Sequence, residues 1–312
     1  MTDVGQIERK TQDRVVRMFV DRLGYRYLGN RQYRAGNSNI EEADLRAWLR
    51  KRGTSETLIT RALHRLGQAA ALGENRSLYT ANREVYGLLR YGVKVREAAG
   101  EPNQTVRLID WERPEANDFA VAEEVTVLGH VTKRPDVVLY VNGIALAVLE
   151  LKRSIVSVGE GIRQNIGNQK PEFIEPFFTT LQLVMAGNDT EGLRYGTIAT
   201  PEKHYLKWRE EGVATEGLDG QLARICEPAR LLESSTISSF STRGSRKSAA
   251  TTSTSGCGRR GSGCGGGRAA SSGTLRVLER ASRWCGWRSG SGRTSPIRGC
   301  SSSPTARNWM SR

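Results

Sequence analysis

Apolar residues recur at helical spacing near the start of the chain, where Ile7, Val15, Phe19 and Leu23 share one face and Gly24 follows as a stop. The same period predicts a second helix from Ile40 to about Lys51, with Asn39 as its cap and Gly53 as its stop. Helical pattern continues through Leu58–Leu66 and Glu84–Leu89. From Gly92 the period changes. Val93–Val95, Thr105–Trp111 and Phe119–Val127 are β-branched and aromatic runs bounded by Gly, Pro and Asn, which predicts strands.

The densest apolar stretch runs from Val137 to Leu149 and is interrupted only by Asn142-Gly143, a strong short-range hairpin signal. Both arms are apolar on both faces, so this hairpin is expected in the middle of a covered sheet. A Gly-punctuated helix is expected from about Glu160 to Gln169. Leu181–Ala186 and Tyr195–Ala199, flanking Asn188–Gly192, read as another hairpin. Helices before and after a central sheet make this an α/β domain.

Charge divides the chain. Of 47 Lys/Arg and 33 Asp/Glu in 312 residues, positions 234–312 hold 14 and 1, leaving 33 and 32 for positions 1–233. The net charge of +14 therefore belongs almost wholly to a Ser/Gly/Arg-rich tail. That tail also holds four of the five cysteines. Cys226 alone remains in the body, which fits a reducing cytoplasm. No run approaches ~18 apolar residues, and the N-terminus has no secretory pattern, so a membrane span and a signal peptide are not expected.

One feature of the central hairpin is chemically odd. Its second arm ends Val148-Leu149-Glu150-Leu151-Lys152-Arg153, which puts Glu150 and Lys152 on one face. Asp136 opens the partner arm. Burying such charges costs several kcal/mol unless they are paired or bind a metal. Two carboxylates and a lysine suit Mg²⁺-assisted phosphodiester hydrolysis, with Asp136 and Glu150 as metal ligands and Lys152 as charge stabiliser. Register decides whether they meet. A strict two-residue loop puts Asp136 opposite Leu149; a longer loop or one β-bulge puts it opposite Glu150, which is the expected arrangement. A Glu-x-Lys triplet by itself is also an ordinary way for a strand to reach solvent.

Pro135-Asp136 with Glu150-Leu151-Lys152 resembles the PD-(D/E)xK nuclease signature. The wider text includes Leu89–Val95, Leu108–Trp111, Lys133–Asp136, Gly161–Asn165 and Met185–Gly192. Together these resemble the N-terminal nuclease region of the restriction (motor) subunit of type I restriction enzymes, over essentially residues 1–233. The resemblance implies a restriction-endonuclease-like core, a central mixed sheet flanked by helices. It implies Asp136, Glu150 and Lys152 as the catalytic triad, Glu8 as an acidic helper on the first helix, and Gln164 as the surviving part of a Gln-x-x-x-Tyr motif whose tyrosine position here is Asn168. It further implies Mg²⁺, double-stranded DNA as substrate, and modification and specificity subunits as partners. Lys133, Arg134 and Arg153 flank the site as candidate phosphate contacts. His64, His130 and His204 are isolated and show no metal-ligand spacing.

In the intact family an ATP-driven motor follows, with a Gly-Ser-Gly-Lys-Ser phosphate loop. Codons compatible with Val277–Ala281, read one base back, encode such a loop. The same shift turns Ser234–Arg246 and Pro304–Arg312 into motor-like text. The tail is therefore expected to be an out-of-frame, disordered replacement for the motor, and ATP is not expected to bind. The competing readings are a non-catalytic basic nucleic-acid-binding protein and a decayed gene product. A metal module on Cys257 and Cys264 has non-standard spacing and no following His.

Overall fold

The computed structural model describes residues 4–208 and 217–241, with side chains described for 9–208 and 217–235. The first helix, α1 (Val4–Arg17), closes in a wider π-type turn over Met18–Arg22, and Gly24 at φ +73° ends it. A short strand follows, β1 (Arg26–Asn30), then helices α2 (Glu42–Lys51), α3 (Glu56–Ala70) and α4 (Leu78–Tyr91). Ser55 and Ser77 cap α3 and α4 by accepting from Leu58 N–H and Thr80 N–H. A small antiparallel hairpin comes next, β2 (Val93–Val95) with β3 (Gln104–Val106).

The remaining elements are β4 (Phe119–Glu123), β5 (Val137–Val141), β6 (Ile144–Leu151), α5 (Val158–Asn168), β7 (Leu183–Asn188), β8 (Gly192–Gly196), β9 (Leu206–Lys207), α6 (Leu218–Ile225) and α7 (Pro228–Ser241). The main sheet has the order β1-β4-β5-β6-β7-β8-β9. It is mixed, because β1 runs parallel to β4 and β6 parallel to β7 while the other pairs are antiparallel.

Every residue of β5 and β6 is buried, as expected of central strands covered on both sides. Val121, Val137, Leu139, Leu149 and Met185 face one core, with Val15 and Phe19 from the α1 region, α3 and α6. Ala122, Val138, Val148, Val184 and Ala186 face a second core, closed by Val158 and Ile162 of α5 and by Phe177 and Phe178.

Four expectations change and one strand is unexpected; the arm expected over Tyr195–Ala199 instead begins at Gly192 and ends at Gly196. Asn39 does not cap α2; its Nδ2 donates to Pro176 O and Thr179 Oγ1, and Glu41 takes the cap position with its carboxylate turned to Arg31 and Arg34 instead of to the helix N–H groups. The run Thr105–Trp111 leaves strand geometry after Val106, because Asn117 Oδ1 takes the Asp110 N–H and Asp110 Oδ1 takes the Arg113 N–H, making a turn. The run from Phe119 stops at Glu123, since Glu124 has φ +52°. Strand β1 has no counterpart in the apolar pattern. Its alternation is weak, and it forms because β4 offers a free edge. Helix α7 crosses the Glu233/Ser234 junction, with Ser235 buried and its hydroxyl donating to Leu231 O (2.7 Å). The expectation of a disordered tail beyond Ser241 lies outside the described residues.

Candidate active site

The central hairpin turns through Asn142 (φ +54°) and Gly143 (φ +82°), the double positive φ of a tight two-residue loop. Gly143 is obligatory here, because a Cβ would come within 2.7 Å of Glu41 O. Asn142 locks the turn from inside: its Oδ1 accepts from Asp118 N–H (2.8 Å) and its Nδ2 donates to Leu108 O (3.0 Å). Val141 pairs with Ile144 and Tyr140 with Ala145, but Leu139 pairs with Ala147. One residue, Leu146, is therefore extra on β6. Beyond this bulge Val137 opposes Leu149, and the register brings Asp136 opposite Glu150.

Both carboxylates project from the α5 side of the sheet. Asp136 Oδ2 accepts from the Leu151 N–H (2.7 Å), which ties the start of one strand to the end of the other. Glu150 is 1% exposed, and its Oε1 accepts from Lys152 Nζ (2.8 Å). Its Oε2 has no hydrogen-bond partner. Burial pushes the Glu150 carboxyl well above the usual carboxylate range, the charge of Asp136 pushes it further, and Lys152 opposes both.

Helix α5 covers this pair at Gly161. A Cβ there would sit 3.4 Å from Lys152 Cγ, 3.5 Å from Glu150 Cγ and 3.2 Å from Ala186 Cβ. The connection from β6 to α5 is held by the β7–β8 turn. Lys152 N–H donates to Gly187 O, Asn188 Nδ2 to Val156 O (2.7 Å) and Thr190 Oγ1 to Ser154 O (2.9 Å). Glu191 Oε1 accepts from Val158 N–H at the first turn of α5 (2.9 Å), where a carboxylate also complements the helix dipole. Asp189 faces the other way, accepting from Thr11 and Arg14 of α1.

Behind the pair, Gln12 on α1 reaches Asp136 O and Glu123 Oε2, both at 3.4 Å. Glu123 is buried on the opposite face of the sheet and accepts from Tyr27 OH (2.6 Å), whose pKa is pushed up to about 12, chiefly by desolvation and then by this bond.

The other candidates fare differently. Glu8 lies on α1 one turn before Gln12, and its side chain is outside the described residues. Gln164 is exposed on α5; Gly161 and Asn165 take the sheet-facing positions, and Asn165 Nδ2 donates to Met185 O (2.9 Å). Lys133 stacks on Phe173, with Nζ 4.3 Å from the ring centre. Arg134 is paired with Glu124 (2.5 Å), so its charge is already matched. Arg153 is half-buried beside Lys152. Sequence pattern alone does not give Gln12, Gly161, Asn188, Thr190 and Glu191 their places around the site. Gln12 is detectable only as a polar residue within the apolar stripe of α1.

Among the described residues no group of three or more His, Cys, Asp or Glu side chains converges as a metal cage. Two carboxylates with an unpartnered buried oxygen nonetheless fit a hard divalent cation of the Mg²⁺ type, which takes one or two carboxylates and fills its other positions with water and phosphate oxygens. Among the described residues no helix is long and apolar enough to cross a membrane.

The sequence model of the family described as "Type I restriction enzyme R protein N terminus" matches residues 5–203. The chain is also similar to the "Putative type I restriction enzyme MjaIXP endonuclease subunit" of Methanocaldococcus jannaschii, 27% identical over 137 residues. That match covers 42% of this chain and 13% of the relative's length.

Proposed function

The chain belongs to the family of type I restriction enzyme R protein N termini, and on that basis we propose that its folded body is a Mg²⁺-dependent nuclease domain acting on double-stranded DNA. The observation that carries the proposal is Asp136 opposite Glu150, with Glu150 Oε2 buried and without a partner. Asp136 and Glu150 would hold the Mg²⁺. When bound, the ion would lower the pKa of a water and neutralise charge on the scissile phosphate.

The chain's own groups do the rest. Lys152 Nζ, at 2.8 Å from Glu150 Oε1, keeps a cation beside that carboxylate. From there it can donate to a phosphate oxygen as negative charge develops. Gly161 lets α5 close over the pair without a side chain, which excludes bulk water and strengthens these electrostatic effects. The Leu151 N–H fixes the Asp136 carboxylate, so its orientation does not have to be found during the reaction.

By the same family reading, the partners are modification and specificity subunits, and the out-of-frame origin of residues 234–312 is a separate proposal that resequencing of the gene tests. The test of the nuclease is nicking of supercoiled plasmid by the full chain with Mg²⁺ and without ATP. Wild type is expected to nick and Lys152→Ala to lose the activity. Equal nicking by both would remove Lys152 and its neighbours from the mechanism.

A further inference from the structure

Most arginines on this surface are matched. Arg14, Arg26, Arg46, Arg76 and Arg163 each meet a carboxylate. One region gathers several basic side chains for which no such partner is found among the described residues. On α3, the buried positions Leu58, Ile59, Ala62, Leu63 and Leu66 leave Arg61, His64 and Arg65 on the outer face, one helical turn apart. On β2, Val93 and Val95 point inward, so Lys94 points outward, and Arg96 follows it on the same side. These two rows line one open groove of about 470 Å³, with Asn103 at its edge and no Asp or Glu in its wall.

Arg61 spans the groove by donating to Arg96 O (2.6 Å). Among the described residues, no carboxylate pairs with Arg61, Arg65, Lys94 or Arg96. Four like charges gathered without counter-charge repel one another, and within the fold only the Arg61 bond to Arg96 O offsets that. A polyanion laid along the groove would reverse that balance, releasing counterions as each phosphate is neutralised.

We propose that this groove is a second DNA-backbone site, which anchors duplex DNA through phosphates and away from the reacting centre. The choice of duplex DNA over other polyanions rests on the nuclease reading above. The separation follows from topology: α2 packs on the Gly143 turn through Glu41 N–H to Gly143 O, and Arg46 of α2 reaches Glu56 of α3. The groove therefore belongs to the turn end of the hairpin, while Asp136 and Glu150 lie at its open end. The seven steps along β6 from Gly143 to Glu150 span about 23 Å at ~3.3 Å per residue. Being sequence-independent, such a site holds the duplex without choosing where it is cut.

The experiment is binding of a fluorescent duplex by the full chain, in chelator, across a series of salt concentrations. It compares wild type, Arg61→Ala/Arg65→Ala/Lys94→Ala/Arg96→Ala, a charge-keeping Arg65→Lys/Lys94→Arg variant, and Lys152→Ala. Each phosphate that is no longer neutralised should flatten the slope of log affinity against log salt by about 0.9, so the slope of the quadruple variant should be shallower by up to about 3.6. The charge-keeping variant should retain the wild-type slope, and Lys152→Ala, which removes one cation from the reacting centre, should flatten it by no more than about 0.9. In parallel, acetylation of Lys94 read by mass spectrometry should be suppressed by duplex.

An unchanged slope with Lys94 equally acetylated would overturn the proposal. So would a quadruple variant that loses binding to polyglutamate but not to duplex, which would indicate an acidic protein partner. A flattened slope alongside plasmid that no variant nicks would sink the nuclease reading and leave the groove standing. Nicking that depends on Lys152 with an unchanged slope would do the reverse.

Discussion

Asp136 and Glu150 oppose each other because Leu146 is one residue too many for β5 to pair. Without that bulge Asp136 would face Leu149, and the two carboxylates would sit on opposite sides of the sheet. The site therefore depends on a backbone irregularity several residues from either carboxylate. Its consequence is a buried Glu150 carboxyl held beside the half-buried Asp136, whose charge repels it.

That repulsion sets a pH dependence. The Glu150 carboxyl is held well above its ordinary value of 4.5 by burial and then by Asp136. A group whose pKa is raised by folding stabilises the native state fully below the unfolded value, and that contribution is lost as pH rises through the native value. In chelator, thermal stability should therefore fall as pH rises above about 4.5. Melting curves over this range for wild type and Glu150→Gln check it: the mutant should lack this component and lose nicking.

Mg²⁺ should offset the same repulsion. An ion that binds only the native state at a hundred times its dissociation constant stabilises by about 2.7 kcal/mol. Titrating Mg²⁺ at pH 8 should raise the wild-type melting temperature and leave Asp136→Asn and Glu150→Gln nearly unmoved. Equal gains in all three would place the ion elsewhere.

Two glycines of α5 should respond in opposite ways. Gly167 has nothing near its missing Cβ, so Gly167→Ala should stabilise by roughly 0.5–1 kcal/mol through helix propensity. Gly161→Val would press on Lys152, Glu150 and Ala186, costing about 1–3 kcal/mol by overpacking. It should also abolish nicking. Denaturant melts and the plasmid assay read both.

Asn188 should act on rate through position. It is fully buried, and its amide holds Val156 O while its Oδ1 takes the Glu191 N–H. Asn188→Ala should cost about 1–3 kcal/mol by leaving those groups unmatched. Its turnover should fall more than its KM for plasmid rises, because the loop after Lys152 loses its tether.

What the linear chain determined is local. Asn142-Gly143 between two oily arms can do little but turn tightly, and Ser55 and Ser77 sit where helices must begin, so these features follow from short-range sterics and hydrogen bonding. The pairing of Glu150 with Lys152 follows from strand alternation alone. Tertiary structure decided what depends on partners far along the chain. Strand β1 exists because β4 has an edge to offer, and the run after Phe119 ends at Glu124, where the backbone turns to positive φ. Gln12 reaches Asp136 across more than a hundred residues, and the groove forms only when α3 and β2 turn their outer faces toward one another. Periodicity reports which face of an element is buried; only packing decides which two faces meet, because that choice is made by the whole core at once.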